Sequence, residues 1–306
     1  MPEWLMGADC KSAGYAYASS NLARPIFPQV PTLRARRLQS LLPKTQRRGL
    51  LILSTGKMSL NFRSIVSNTS EGEFLRIFAD AFSRQNQPFL EAHRTILTAC
   101  YRNPSLSPTI QAHTPEEIAK AWLNRYNKGY RNRISQRVSK LPHTQPDPIV
   151  NTIISARLTG LKPEHLEQIK HAHRLSMSAE NILGLLLEEF LSIQLADYGW
   201  YCCWGESMRP VDFCNVDGSL LQVKNRSNSE NSSSSKVREN LPIEKWYRVD
   251  ARTGSYQWNY FNNKYNTDRF SEENFVIFVQ QVLTTNPNAL AIEKDNPWQN
   301  LSNSSN

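Results

Sequence analysis

The stretch VDFCNVDGSLLQVKNRSNSENSSSS, residues 211–235, decides the fold of this chain. Within it, the dipeptide Asp217-Gly218 is a turn signal between two runs of strand-forming residues. We expect a loop of three residues, Val216 to Gly218, with the glycine in the left-handed conformation that other residues rarely adopt. The stretch therefore predicts a β-hairpin whose second strand runs directly into a serine-rich segment.

The register of this hairpin decides which polar side chains meet. A three-residue loop pairs Asn215 with Ser219. Asp212 then lies opposite Gln222. Because strand side chains alternate between faces, Gln222 and Lys224 point to the same side of the sheet. One face then carries Asp212, Gln222 and Lys224, whereas a strict two-residue turn shifts the register and separates them.

A carboxylate, an amide oxygen and a lysine on one face suit the hydrolysis of a phosphodiester. Asp212 and the side-chain oxygen of Gln222 are ligands that a hard cation such as Mg²⁺ prefers, and Glu188 on the preceding helix or the backbone adds a further oxygen. The metal polarises a phosphate oxygen and lowers the pKa of its water. Lys224 orients that water or stabilises the growing negative charge. The predicted catalytic residues are therefore Asp212, Gln222, Lys224 and Glu188, with Mg²⁺ as the cofactor.

The spacing of these residues carries a resemblance to a known motif. PVD at 210–212, nine further residues and then QVK at 222–224 resemble the PD-(D/E)XK nuclease motif. Val211 separates a proline and an aspartate that are adjacent in the motif, and Gln222 stands where the motif has an acidic residue. A neutral amide binds a metal more weakly than a carboxylate does. The resemblance implies that Glu188 compensates, as a helix glutamate does in that superfamily.

The continuation of the motif is more specific. Residues 222–238, QVKNRSNSENSSSSKVR, and the preceding helix SAENILGLLLEEFL, residues 178–191, are similar to SinI-type restriction endonucleases. The resemblance covers residues 62–282 and is strongest in 173–248. It implies a type II endonuclease that recognises GGWCC in double-stranded DNA and cuts after the first G. It also implies a cognate cytosine methyltransferase as the functional partner in a restriction-modification system.

In that light residues 225–238 form a DNA-recognition segment, although their composition alone favours a flexible linker. We expect Arg226 or Arg238 to bond the O6/N7 edge of guanine, and Glu230 to accept from a cytosine amino group. Lys236 and Arg238 are better suited to phosphate. Small polar groups for base edges or phosphates are supplied by Asn228, Ser229 and Asn231. A related site such as GGNCC stays open, because the central base pair cannot be read from this chain.

Helical periodicity dominates the chain from residue 59 to about 199. The predicted helices are 68–82, 88–101, 113–138, 148–160, 162–175 and 178–199, and a closing helix occupies 271–283. Ser178 is expected to cap the most apolar of these helices. Glu188 and Glu189 lie in the middle of it, and buried glutamates are rare unless they are paired or bind a metal. We expect at least one of the two to point to solvent and the other to face the site.

Strand-like composition follows the helical region. Segments 199–205, 208–214 and 220–226 are predicted strands, and 246–261 is a further strand or an irregular aromatic platform. The histidines at 165, 171 and 173 lack a common ligand face, so we assign them to the surface or its boundary.

The charge of the chain is concentrated at its N-terminus. The net charge is +9, and residues 1–57 carry nine Lys/Arg and two acids, a net +7. Global charge therefore says little about the remainder, where a DNA site must be a local patch. The five cysteines include no CxxC pair, which favours reduced thiols in a cytoplasmic protein. No apolar run is long enough for a membrane helix.

Residues 1–57 resemble a transfer-RNA gene that has been translated by accident. Ser19 to Leu22 can be encoded by a sequence containing TTCGAAT, as in a T-loop, and Asp9 to Ser12 by an anticodon-loop sequence. We therefore expect a non-native or disordered extension, with the true start near Met58. The alternative is a basic arm that binds DNA.

These patterns predict an α+β enzyme with a helical part at 58–175 and a nuclease core with its recognition segment at 176–285. The core is expected to be a PD-(D/E)XK-like mixed β-sheet flanked by helices, followed by a disordered tail at 286–306. A palindromic site predicts a homodimer. Two alternatives stay open. If the protein is a non-catalytic DNA-binding regulator that uses the basic helix 115–140, it should bind DNA without metal-dependent cleavage, and loss of Lys224 should have no effect. If it is a structural or interaction protein, Mg²⁺ should have no effect on it.

Overall fold

We describe the fold from a computed structural model, which covers residues 59–141, 147–227 and 242–299. The predicted N-terminal extension, 1–57, lies outside the described residues. So does the recognition segment beyond Ser227.

Four helices form the first part of the described chain. Their bounds are Phe62–Asn68 (α1), Glu71–Ser83 (α2), Glu91–Arg102 (α3) and Pro115–Arg131 (α4). Local sequence explains their starts, because Ser70 accepts a hydrogen bond from Glu73 N, and Thr114 and Glu117 form a reciprocal capping box. Two short strands, β1 (Leu60–Asn61) and β2 (Gln111–Ala112), pair antiparallel beside these helices. α4 ends seven residues earlier than predicted, so the basic residues after Arg131 are not on this helix.

Helices α5 (Pro148–Arg157) and α6 (Pro163–Gln194) follow. The prediction of two helices meeting near residue 176, with Ser178 as a cap, is wrong. Ser178 is buried inside the single 32-residue helix α6. The segment from 164 to 183 contains no glycine or proline, so nothing interrupts the helical hydrogen bonds there. The expected boundary between the two domains falls inside this helix.

A four-stranded mixed sheet follows α6, with the strand order β3-β4-β5-β6. The strands are Trp200–Cys202 (β3), Phe213–Asn215 (β4), Leu220–Arg226 (β5) and Ile243–Val249 (β6). β3, β4 and β5 pair antiparallel in turn, whereas β6 is parallel to β5. Helices α7 (Asn259–Tyr265) and α8 (Glu272–Thr285) complete the order. The fold is α+β, as predicted, although β4 starts later than expected and the aromatic segment after Val249 enters α7.

Each face of the sheet packs against helices. The first core joins α1–α4 to Cys214 of β4 and Leu220 of β5. The second core joins α6, α7 and α8 to Leu221 and Val223 of β5. Because side chains alternate along a strand, Gln222 lies on the face of the first core. A polar residue on β5 therefore points to the side of the sheet on which the first apolar core lies.

Residues 286–299 differ from the disordered tail expected from their composition. Ala289, Glu293 and Asn296 are buried, and Glu293 pairs with His171 and Arg174 of α6. These contacts anchor a segment whose asparagine and proline content favours a loop. Within the described part of the chain, no helix has the length and hydropathy needed to span a membrane.

Candidate active site

The hairpin adopts the predicted register. Asn215 N donates to Ser219 O at 2.9 Å, and the Cα partners are Cys214 with Leu220 and Phe213 with Leu221. Gly218 has a φ of +90°, so a side chain at this position would be strained. The loop is therefore three residues long, and the strands run in the register that brings Asp212 to the middle of β5.

Asp212 is fixed to both neighbouring strands by its backbone and its carboxylate. Its N–H donates to Leu221 O at 3.0 Å, and its carbonyl accepts from Cys203 N at 2.8 Å. Its Oδ2 accepts from Val223 N at 2.8 Å. Val223 lies between Gln222 and Lys224 in sequence, so the carboxylate is held against the part of β5 that carries both.

Gln222 is buried, with 6% of its surface exposed. Its Oε1 has no hydrogen-bond partner within the described residues. An unsatisfied buried acceptor costs about 1–3 kcal/mol, so folding alone does not account for an amide at this position. A cation beside Asp212 satisfies that oxygen, and oxygen ligands of this kind suit Mg²⁺. The donor set therefore fits the predicted metal.

Glu188 belongs to the same electrostatic environment. It is half-buried on α6, and burial raises the pKa of its carboxyl to about 8. The charge of Asp212 raises this pKa further, while the charge of Lys224 lowers it. The structure therefore brings Glu188 within electrostatic range of both residues.

Glu189, by contrast, has a structural environment. It is buried, and it accepts hydrogen bonds from the N–H and hydroxyl of Ser135. Arg133 Nε lies 3.4 Å from Glu189 Oε1. The expectation that at least one of the two glutamates points to solvent is wrong, because this turn of α6 is covered both by the segment after α4 and by the sheet.

Lys224 is half-buried, and two residues of β6 that the sequence analysis did not select lie beside it on the same face. In the parallel register Gln222 pairs with Lys245, and Lys224 pairs with Tyr247. Lys245 is exposed and Tyr247 is half-buried. Their signal in the sequence is the alternation of IEKWYRV, where Trp246 enters the second core and its neighbours face the other way.

Of the predicted DNA-contacting residues, the structure places Arg226 alone. It is exposed at the end of β5, where it pairs with Val249 of β6. The other six predicted contacts lie outside the described residues: Asn228, Ser229, Glu230, Asn231, Lys236 and Arg238. Their roles stay predictions.

A second group of possible metal ligands lies elsewhere. Single ligand atoms of His171, Glu293 and Asp295 all lie within 4.8 Å of one another. His171 Nδ1 is 2.9 Å from Glu293 Oε2, and Arg174 pairs with the other carboxylate oxygen. Both carboxylate oxygens of Glu293 are thus already occupied by Arg174 and His171, which explains this group as the anchor of the C-terminal segment.

The cysteines within the described residues are buried free thiols: Cys100, Cys202, Cys203 and Cys214. Burial raises the pKa of Cys202, with Glu188 and Asp212 as further causes. These thiols are therefore protonated core residues rather than nucleophiles.

Comparison with known proteins places these residues in a family context. A family model described as SinI restriction endonuclease matches residues 100–285. The chain is 44% identical over 147 residues to the type II restriction enzyme Eco47I of Escherichia coli. It is 42% identical over 147 residues to the type II restriction enzyme SinI of Salmonella infantis. Each match covers 46% of this chain and 64% of the relative.

Proposed function

Because this chain belongs to the SinI restriction endonuclease family, we propose that it is a type II restriction endonuclease that hydrolyses both strands of DNA. The observation that carries the proposal is the buried amide oxygen of Gln222, which lacks a partner among the described residues and shares its strand face with Lys224. Glu188, Asp212, Gln222 and Lys224 all fall inside the matched residues 100–285.

The proposed core is of the PD-(D/E)XK type. The support is topological: a long helix carrying a glutamate precedes three antiparallel strands, and a fourth strand is parallel to the third. Asp212 immediately precedes β4, and Gln222 and Lys224 lie on β5. The motif residues thus occupy neighbouring strands, where hydrogen bonds of the sheet hold them in register.

Asp212, Gln222 and Glu188 are the residues that would hold Mg²⁺. When bound, the metal supplies Lewis-acid stabilisation of the charge on the phosphate. Lys224 contributes a cation on the same face, where its ammonium orients the attacking water or neutralises the developing charge. The hydrogen bond from Val223 N to Asp212 Oδ2 keeps the carboxylate beside β5. Both apolar cores keep these strands rigid, which preorganises the polar groups.

The proposed substrate is double-stranded DNA containing GGWCC, cut after the first G to leave 5′-phosphates. GGNCC is the alternative, because the segment expected to read the bases, from Arg226 to Arg238, lies mostly outside the described residues. The proposed assembly is a cytoplasmic homodimer, since a palindrome is most simply read by a two-fold symmetric protein. A cognate cytosine methyltransferase is the proposed partner in a restriction-modification system.

Digestion of a sequenced plasmid with Mg²⁺, with and without a chelator, tests the proposal. We expect discrete fragments whose mapped ends lie at GGWCC and which disappear with the chelator. Ends at GGNCC select the alternative site. DNA binding without cleavage favours the non-catalytic regulator.

The Lys224→Ala variant tests the assignment of the lysine. We expect loss of cleavage with site-specific binding retained in a gel-shift assay. Lys120→Ala, which removes an exposed lysine from α4, is the matched control and should cut normally. Undiminished cutting by Lys224→Ala contradicts the assignment.

A further inference from the structure

A polar cavity of about 480 Å³ lies between the end of α2 and the C-terminal half of α4. Five carboxamide side chains line it: Gln85, Gln87, Asn124, Asn127 and Asn132. Lys128 and Arg131 are the remaining lining residues, so no carboxylate contributes to its wall. The cavity combines amide N–H donors with two cations, which is the chemistry that binds phosphate oxygens.

The hydrogen-bonding capacity of this cavity is mostly unused by the protein. Gln85 Nε2 donates to Ala81 O at 3.3 Å. Over the described ranges, the side chains of the other six lining residues make no hydrogen bond or ion pair with protein. Lys128 and Arg131 do lie in the last turn of α4, where cations offset the helix dipole. That effect does not explain why the carboxamides line the same concavity.

Two contacts join the end of α4 that lines the cavity to elements that carry the candidate active site. Arg133, two residues after Arg131, forms an ion pair with Glu189, the neighbour of Glu188. On the same turn of α4, Gly129 packs directly on the backbone of Gly205, and a Cβ built on Gly129 would lie 2.1 Å from Gly205 N. The C-terminal end of α4 is therefore fixed to both α6 and the turn after β3.

We propose that this cavity binds a backbone phosphate of the DNA substrate, outside the phosphodiester that is cut. The proposal rests on the proposed function, because it takes duplex DNA as the ligand. Lys128 and Arg131 supply the charge, and the carboxamides supply donors that orient the phosphate without reading a base. A contact of this kind strengthens binding to every DNA sequence equally and positions the duplex relative to Asp212 and Lys224.

Salt-dependent DNA binding tests this site. The double variant Lys128→Ala/Arg131→Ala and the wild type are titrated, in chelator, with two duplexes of equal length, one containing GGWCC and one lacking it. Fluorescence anisotropy gives the binding constant at several salt concentrations. Each phosphate contact contributes roughly 0.9 to the slope of log K against log salt. We expect the slope of the double variant to be shallower by roughly 1 to 2 for both duplexes.

Two controls make the result specific. Lys120→Ala removes a cation from the same helix outside the cavity and should leave the slope unchanged. The charge-conserving Lys128→Arg/Arg131→Lys variant should keep most of the wild-type slope. An unchanged slope in the alanine variant, with an unchanged melting temperature, overturns the proposal. Inorganic phosphate is also tested as a competitor at sub-millimolar concentration. If phosphate competes with the wild type but not with the alanine variant, and the slope for DNA is the same in both, the cavity is a small-anion site. That result also overturns the proposal.

Cleavage by the wild type, measured in parallel, separates this proposal from the proposed function. A shallower slope in the alanine variant without any metal-dependent cleavage by the wild type supports the phosphate site and contradicts the nuclease. Normal cleavage with an unchanged slope contradicts the phosphate site alone.

Discussion

Glu188 and Glu189 are adjacent on α6 but have different neighbours. Glu188 is coupled by charge to Asp212 and Lys224, whereas Glu189 is paired with Arg133 and Ser135. We expect Glu188→Ala to raise the Mg²⁺ concentration needed for half-maximal cleavage. Glu189→Ala leaves the half-buried Arg133 without its carboxylate and Ser135 without its acceptor, so we expect a loss of about 3 kcal/mol in the free energy of unfolding and a smaller change in metal requirement.

Urea denaturation and cleavage titrated with Mg²⁺ distinguish the two roles. The substitution Asn181→Ser, at an exposed position two turns before Glu188 on α6, is the control. It should alter neither the stability nor the Mg²⁺ requirement. If both alanine variants change the metal requirement equally and only slightly, the assignment of Glu188 to the site is wrong.

Gln222 carries a conflict between folding and function. Its amide oxygen is buried without a partner within the described residues, on the face of β5 opposite Leu221 and Val223 of the second core. Leucine has a similar volume and no polar atoms. We expect Gln222→Leu to raise the free energy of unfolding of the metal-free protein by about 1 kcal/mol and to abolish cleavage. Urea denaturation and plasmid digestion measure the two effects. A destabilised variant contradicts the folding cost of the amide, and a variant that still cuts DNA contradicts its role in cleavage.

His93 makes the stability of the first core depend on pH. It packs against Phe82 and Tyr126, with ring centroids 4.6 and 4.7 Å away, and burial lowers its pKa from 6.5 to about 4. The unfolded chain therefore binds a proton below pH 6.5 that the folded protein excludes until about pH 4. The contribution of His93 to stability is complete above pH 6.5 and is lost as the pH falls toward 4.

Between pH 4 and 6.5 the titration of His93 should change the free energy of unfolding by at most about 1.4 kcal/mol per pH unit. Urea denaturation at a series of pH values measures this slope for the wild type and for His93→Gln. The amide oxygen of the variant can still accept a hydrogen bond from Leu90 N, but the amide cannot titrate. Parallel pH profiles for the wild type and this variant contradict the assignment.

Among the elements, those determined by local sequence were predictable. The chemistry of Asp217-Gly218 sets the hairpin loop, and with it the register that aligns Asp212 with β5. Ser70 and Ser271 cap the helices that follow them, close to the starts predicted for those helices. The caps predict starts well because each depends on residues within one helical turn.

Elements that depend on distant pairing were not predictable. β5 and β6 are parallel, so residues far apart in sequence meet, and Lys245 and Tyr247 join the candidate site only through that pairing. The environment of Glu189 depends likewise on Arg133 and Ser135, 56 and 54 residues away in sequence. Ser178 is a residue type that often caps helices, but it is buried inside α6, where no glycine or proline from 164 to 183 interrupts the helix.

The contact between α4 and the turn Trp204–Glu206 requires glycine. A Cβ on Gly129 would lie 2.1 Å from Gly205 N and 2.5 Å from Gly205 Cα, both backbone atoms that cannot move independently. We expect Gly129→Ala to lower the free energy of unfolding by about 1–3 kcal/mol or more. Gly184→Ala on α6 is the matched control, because nothing lies within 4 Å of its added Cβ, and it should stabilise by about 0.5–1 kcal/mol. Urea denaturation of both variants checks the pair, and equal effects contradict it.

At the scale of the whole molecule, one chain supplies one candidate catalytic cluster within the described residues. Cutting both strands of a palindrome with such a cluster is simplest with two copies of the chain. α5 offers the surface: none of its residues is buried, and Ile149, Val150 and Ile153 are exposed on it. Exposed apolar clusters are typical of interaction surfaces, so we expect this face to form the interface if the proposed homodimer exists.

Substitution on α5 tests that assignment. We expect Ile153→Glu to shift the protein from dimer to monomer in sedimentation velocity, since a charge at an apolar interface is desolvated without a partner. Cleavage should fall with the dimer fraction and recover partly at high protein concentration. Ile277→Glu, an exposed isoleucine on α8, is the matched control and should leave the dimer intact. A wild type that is monomeric while it cuts both strands contradicts the homodimer. An Ile153→Glu variant that stays dimeric contradicts only the role of α5.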